Sequence, residues 1–266
     1  RDWSVTGVQT CALPISRILK EAGFTGCQIH GAHGYLVSQF LSPNSNIRTD
    51  QWGGTLENRA RFVLEIYREI RRQVGADYPV GIKINSADFQ RGGFTEEESM
   101  EVIQLLGNEG MDLIEISGGT YEKPAMIKGN RKKSTVEREV YFLEYIEKAR
   151  KLTKTPLLLT GGFRSVSVME DALANGKLDV IGLARPFCLY PELANQIFDG
   201  SVKQFDAPVP RIGIKFLDKL GGVELPWYEL QIQRIGKGKK PKRNLPGILA
   251  FWFSLKSLFL KSFWKN

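Results

Sequence analysis

The 266-residue chain has only two histidines, His30 and His33, three apart in HGAHGY (30–35) at the end of the β-rich run GCQIH (26–30). Three chemistries are open to such a pair. It could ligate a metal as H-x-x-H, but no third His or Cys and no nearby carboxylate cluster completes a ligand set. It could be a structural pair bonded to backbone. Or two imidazole N–H donors could converge on one oxygen and stabilise negative charge developing on a carbonyl or phenol. The last reading is the one expected here, with no metal. Tyr35, two residues on, supplies a phenol that can give up a proton in a dry pocket, or a packing side chain. Lys83 interrupts the apolar run VGIKIN (80–85). A lysine there has three readings, a Schiff-base nucleophile, a counter-ion to an anionic cofactor, or a surface residue, and spacing alone does not separate these.

Elements able to hold these groups follow one another regularly. Five strand-like runs, GCQIH (26–30), VGIKIN (80–85), LIEIS (113–117), PLLLT (156–160) and DVIGLA (179–184), alternate with helical segments at 57–75, 95–110, 141–153, 167–176 and 192–200. Thr55 is a good N-cap for the first helix. Thr95 with Glu98 three residues on forms a capping-box start for the second, which has a glycine stop. Repeated βα units imply parallel strands with right-handed crossovers, and their apolar character suits a sheet covered on both faces. An open doubly wound sheet and a (β/α)8 TIM barrel compete. The last two runs end in TGGF (160–163) and GLAR (182–185). Such turns suit the phosphate site after barrel strands seven and eight, with backbone N–H groups presented to the anion. Arg185 is then a phosphate partner, or otherwise a helix-start surface arginine. No G-x-G-x-x-G follows the first strand, so the barrel is favoured. If these last runs are strands seven and eight, GCQIH is strand four, and the barrel is expected to be incomplete: strands 4 to 8 present, strands 1 to 3 missing.

Composition narrows the class further. There are 37 Lys/Arg against 29 Asp/Glu, but residues 211–266 alone hold 12 against 3. The basicity therefore belongs to the tail, and the body gives no sign of nucleic-acid binding. Three widely spaced cysteines (Cys11, Cys27, Cys188) support neither a disulfide framework nor a C-x-x-C metal site, and suit a reducing cytoplasm. No signal peptide is evident.

The segment EAGFTGCQIHGAHGYLVSQFLSPNSNIRTDQWGGTLENRARF, with VGIKINSADFQRGGF, LIEISGGTYE, LLLTGGFRS and DVIGLARPF, resembles the Old Yellow Enzyme family of FMN-dependent NADH:flavin oxidoreductases, over about residues 17–235. The resemblance implies an FMN-dependent ene-reductase: hydride passes from NAD(P)H through FMN to the C=C bond of an α,β-unsaturated carbonyl compound or related electron-poor alkene. It implies that His30 and His33 hold the acceptor's carbonyl oxygen and that Tyr35 protonates the α-carbon. Lys83 then matches a basic residue beside the flavin N1–C2 edge, and Gly161, Gly162, Gly182, Ala184 and Arg185 match the phosphate loops. Residues of the family's first three strands have no counterpart here, and no cysteine cluster suggests its iron–sulfur branch. Two other classes compete: a barrel fragment that cannot hold FMN and is inactive, and an aldolase using Lys83.

The two ends read differently from the body. Back-translated, VTGVQTCALPI (5–15) fits a sequencing-adapter oligonucleotide in frame, so residues 1–16 are expected to be non-native. At the other end, GKGKKPKR (236–243) reads as a solvated basic linker, and residues 248–266 hold six aromatics in nineteen positions. This 236–266 tail is expected to be amphipathic. It would lie on an anionic membrane surface, tethering a cytoplasmic enzyme to the inner face, or dock on the barrel or a sister subunit of a homo-oligomer.

Overall fold

Five short, largely apolar runs form five parallel strands: β1 (Cys27–Gly31), β2 (Val80–Asn85), β3 (Leu113–Ser117), β4 (Leu157–Thr160) and β5 (Val180–Gly182). They pair in the order of the sequence, β1-β2-β3-β4-β5. That order is the barrel's; a doubly wound sheet reverses direction at a switch point, and this sheet does not. The computed structural model describes residues 14–117, 143–214, 218 and 223–263. Residues 1–13 and the start of the helix expected at 141–153 lie outside them; residues 14–21 form a helix, α1, and 143–150 another, α5. The chain divides into two units, Arg1–Gly162 with Met169–Gly182, and Phe163–Val168 with Leu183–Asn266.

In the first unit, α2 (Leu36–Leu41), α3 (Leu56–Val74) and α4 (Glu96–Asn108) accompany the sheet, and α6 (Val166–Ala174) ends there. The caps are those the sequence predicts. Thr55 Oγ1 accepts from Asn58 N–H, and Thr95 and Glu98 make both bonds of the capping box, each 3.2 Å long. Phe62, Ile66 and Ile70 of α3 are buried. Arg59 is buried too; it donates to the carbonyls of Leu41 and Gly54 and pairs with Glu98, joining α2, α3 and α4 through one guanidinium. The short helix α2 stands where the sequence suggested only a loop, since six residues with no side-chain cap give little periodic signal.

The two faces of the sheet are covered unequally. Ile29, Ile82, Ile84, Ile114, Ile116, Leu157 and Leu159 point to one face and are all buried. The register places His30, Lys83 and Glu115 side by side on the other face, flanked by Gln28 and Leu158, and there both Gln28 and His30 are exposed.

In the second unit, a 3-10 turn (Arg185–Cys188), α7 (Leu193–Phe198), α8 (Glu224–Gly236) and α9 (Gly247–Phe263) follow. Leu189, Val223, Trp227, Tyr228 and Ala250 form its core, and the Trp227 indole donates to Leu245 O at 2.7 Å. The basic stretch after α8 is not a free linker. Gln231, fully buried, donates to Lys242 O at 2.9 Å and accepts from Lys242 N–H at 2.8 Å, while Arg234 donates twice to Lys240 O. Its backbone is tied down, and the side chains of Lys237, Lys239, Lys240 and Lys242 remain exposed.

Candidate active site

The turn HGAHGY begins where β1 ends. Chain direction reverses over His33 (φ 62°) and Gly34 (φ 82°), both left-handed, before α2 starts. A left-handed residue carrying a Cβ is uncommon and persists only where its surroundings hold it. Here the His33 N–H donates to Asn85 Oδ1 at the end of β2 (3.2 Å), and the His33 ring Nε2 bonds Ser117 Oγ at the end of β3 (2.7 Å). Three strand ends thus converge on one residue. The same turn brings the three predicted groups together: His30 lies 5.3 Å from His33, ring to ring and nearly perpendicular, and 4.6 Å from the Tyr35 ring.

Charge in this cluster is set by Lys83, which donates to Glu115 Oε1 at 2.7 Å. Gln28 donates to the other carboxylate oxygen at 3.0 Å, and Thr160 of β4 bonds the same carboxylate. Burial pushes the Glu115 carboxyl up, but the hydrogen bonds from Lys83 and Thr160 outweigh it and hold the group below its ordinary value. Burial, then the Lys83 ammonium, lowers the pKa of His30. Burial, Lys83 and His30 together bring His33 down to about 4. Both rings are therefore neutral at neutral pH and available as hydrogen-bonding groups. Lys83 is thus engaged in an ion pair with Glu115.

At the end of β4, Gly161 (φ 104°) and Gly162 (φ 85°) make a turn that side chains with a Cβ rarely adopt. Gly161 N–H lies 3.4 Å from Gly182 O on β5. A Cβ on Gly182 would stand 2.0 Å from Thr160 Oγ1, so only glycine lets these strand ends approach. Ala184 and Arg185 belong to the second unit, where Arg185 pairs with Glu224. A cavity of about 330 Å³, lined by Tyr190, Leu193, Phe205, Asp206 and Arg243 among others, also lies in that unit and contains none of the predicted residues.

The side chains suit a flavin in kind. A cation stands on the polar sheet face beside the histidine cluster, and a Gly-Gly turn presents backbone at a strand end. Sequence reasoning missed Glu115, Asn85 and Ser117. Glu115 breaks an apolar strand as Lys83 does, and the same signal could have found it. Nothing in the spacing reveals Asn85 and Ser117, which reach His33 from 52 and 84 residues away.

Parallel strands in sequential order, with a His-x-x-His-x-Tyr turn at one strand end and Gly-Gly at another, define an α/β protein with the strand order of a barrel. The chain belongs to the NADH:flavin oxidoreductase / NADH oxidase family, whose model matches residues 15–204. It is 42% identical to the NADH-dependent flavin oxidoreductase nadA of Aspergillus parasiticus over 195 residues, covering 73% of this chain and 44% of that protein. It is 32% identical to the cinnamate reductase of Clostridium sporogenes, covering 69% of this chain and 29% of that one. Among solved structures, a 2-naphthoyl-CoA reductase complex superposes with a TM-score of 0.66 at 32% identity, covering 74% of this chain and 29% of that one. An Old Yellow Enzyme homologue from Zymomonas mobilis has a TM-score of 0.60 at 22% identity, covers 77% of this chain and 55% of that one, and shares the fold. The chain thus spans less than half the length of the two curated relatives described.

Proposed function

We propose that the five strands are equivalent to the fourth to eighth of an FMN-binding (β/α)8 barrel, and that the protein reduces the C=C bond of α,β-unsaturated carbonyl compounds with NADH as donor. The observation that carries this reading is the packing of His30, His33 and Tyr35 into one cluster at the carboxyl end of β1, the end at which barrels place their chemistry. FMN, when bound, supplies the hydride that reaches the β-carbon. His30 and His33 hold the carbonyl oxygen through ring N–H groups and stabilise the negative charge that develops there. Tyr35 gives its phenolic proton to the α-carbon, completing addition of hydride and proton across the double bond. Lys83, held in place by its bond to Glu115, would supply the positive charge that stabilises the reduced flavin. Gly161, Gly162 and Gly182 would serve the phosphate through backbone N–H groups at the strand ends. The relative named for cinnamate, a conjugated carboxylate, supports an acceptor of this class.

Purified protein is expected to carry flavin absorbance and to consume NADH with an enone. His30→Ala is expected to weaken binding of a phenol by about threefold to tenfold, the loss of one neutral hydrogen bond, while FMN stays bound. Unchanged phenol affinity counts against the anchoring role, and colourless protein with no NADH-driven reduction means that this chain is the inactive fragment.

A second reading concerns the basic end of the chain. After Glu229 the sequence holds nine Lys/Arg and no Asp or Glu. Leu249 (47% exposed) and Trp252 (61% exposed) of α9 are presented to solvent. Among the described residues no helix is long and apolar enough to cross a membrane. We infer that α9 and the lysines before it lie on an anionic membrane surface, since a second copy would bring the same positive charge to this face. Sedimentation with phosphatidylserine vesicles, absent with phosphatidylcholine alone and reduced by salt and by Trp252→Glu, is the expected result. A dimer that Trp252→Glu dissociates, with no vesicle binding, overturns it.

A further inference from the structure

On the reading that His33 donates to a substrate oxygen, we propose that Ser117 is a positioning residue: its hydroxyl donates to His33 Nε2 and so holds the neutral ring in the tautomer whose proton is on Nδ1. A neutral imidazole has one donor and one acceptor nitrogen. In this structure Nε2 is already taken by Ser117 Oγ at 2.7 Å. Only Nδ1 is left to meet a substrate, and it can donate only if Nε2 is the acceptor. Ser117, whose side chain can give as well as accept a proton, must then be the donor. A Glu or Asp in its place would force the opposite tautomer, because a carboxylate can only accept.

The rest of the setting is built to hold that ring still. Asn85 Nδ2 donates to Asp88 Oδ1 at 3.2 Å, which turns the Asn85 carbonyl oxygen toward the His33 N–H. Asp88 is fixed in turn, since its Oδ2 accepts from Phe94 N–H at 3.0 Å and its own N–H donates to Phe94 O at 2.9 Å. Asn85, Asp88 and Ser117 are all buried to within 2%. The backbone of His33 is therefore anchored through Asn85 and its ring through Ser117, and each anchor comes from a different strand. His33 stays neutral over the working pH range because burial and the neighbouring Lys83 oppose its protonation, so its state there is a choice between two tautomers.

Because the chain holds only two histidines, labelling its imidazoles with 15N gives two ring systems, and His30→Gln assigns them. At pH 7, in the full chain without substrate, the His33 proton is expected on Nδ1. Ser117→Ala is expected to move it predominantly to Nε2, and Ser117→Thr, which keeps the hydroxyl, to restore Nδ1. A wild-type His33 protonated on Nε2 overturns the proposal, and so does a Ser117→Ala spectrum unchanged from wild type. If Ser117→Ala does not fold, the wild-type spectrum and Ser117→Thr decide between the tautomers. Flavin absorbance and enone reduction are read separately. Protein that is colourless but shows the Nδ1 tautomer sinks the enzymatic reading and leaves Ser117's role standing; active protein with the Nε2 tautomer does the reverse.

Discussion

The two faces of the five-stranded sheet share one backbone and differ in almost everything else. On one, Ile82, Ile84, Ile114 and Ile116 are fully buried. On the other, one residue along each strand, Lys83, Glu115, Gln28 and Thr160 form a bonded polar group beside two depressed histidines. Burial of apolar area at about 25 cal/mol per Å² makes the first face the source of stability. The second face stabilises the fold far less, because charges withdrawn from water recover little more than their desolvation cost. What it supplies is a set of side chains with fixed positions and protonation states.

This division can be broken by substitution on either side. The largest effect is expected from Ile82→Ala, which empties a fully buried site and should cost about 2–5 kcal/mol in urea unfolding. Next comes its neighbour: Lys83→Met leaves Glu115 without its cation, and a loss of about 1–3 kcal/mol is expected from a partly exposed pair. A Lys83→Met that destabilises more than Ile82→Ala would reverse the assignment of the faces. Smallest is Gln28→Leu, which removes one bond from an exposed side chain and should cost under about 1 kcal/mol.

The polar face should also show itself in pH. His33 is held down to about 4 in the fold, against about 6.5 unfolded, so between those values the unfolded chain binds the extra proton. Stability from this group is complete above about pH 6.5 and is lost as pH falls toward 4. Urea midpoints measured through that window should slope upward with pH, and His33→Gln should flatten the slope. An equal slope in the variant would mean that other groups set it.

Much of the fold was legible in the residues. The strand runs, the Thr55 cap and the Thr95–Glu98 box are local signals, each complete within a few positions. The polar face was half legible. VGIKIN and LIEIS alternate, but a glycine and the long aliphatic stem of Lys83 make such runs look apolar throughout. The Lys83–Glu115 pair depends on parallel register between strands 32 residues apart, which no local pattern encodes. His33's anchors are more remote still. Residue type and spacing singled out His30, His33 and Tyr35, and only the folded chain shows that Asn85 and Ser117 hold His33.

The Gln231 clamp has a consequence for how the basic loop can change over time. Gln231 binds Lys242 through backbone N–H and C=O, and Arg234 binds the carbonyl of Lys240. The loop's shape is thus read from its main chain, and the charges at 237, 239, 240 and 242 are not part of that reading. Its electrostatics are free to drift from strongly basic to neutral, one residue at a time, while the scaffold beneath stays the same. The charge of this face can therefore change without disturbing the main-chain bonds that shape the loop.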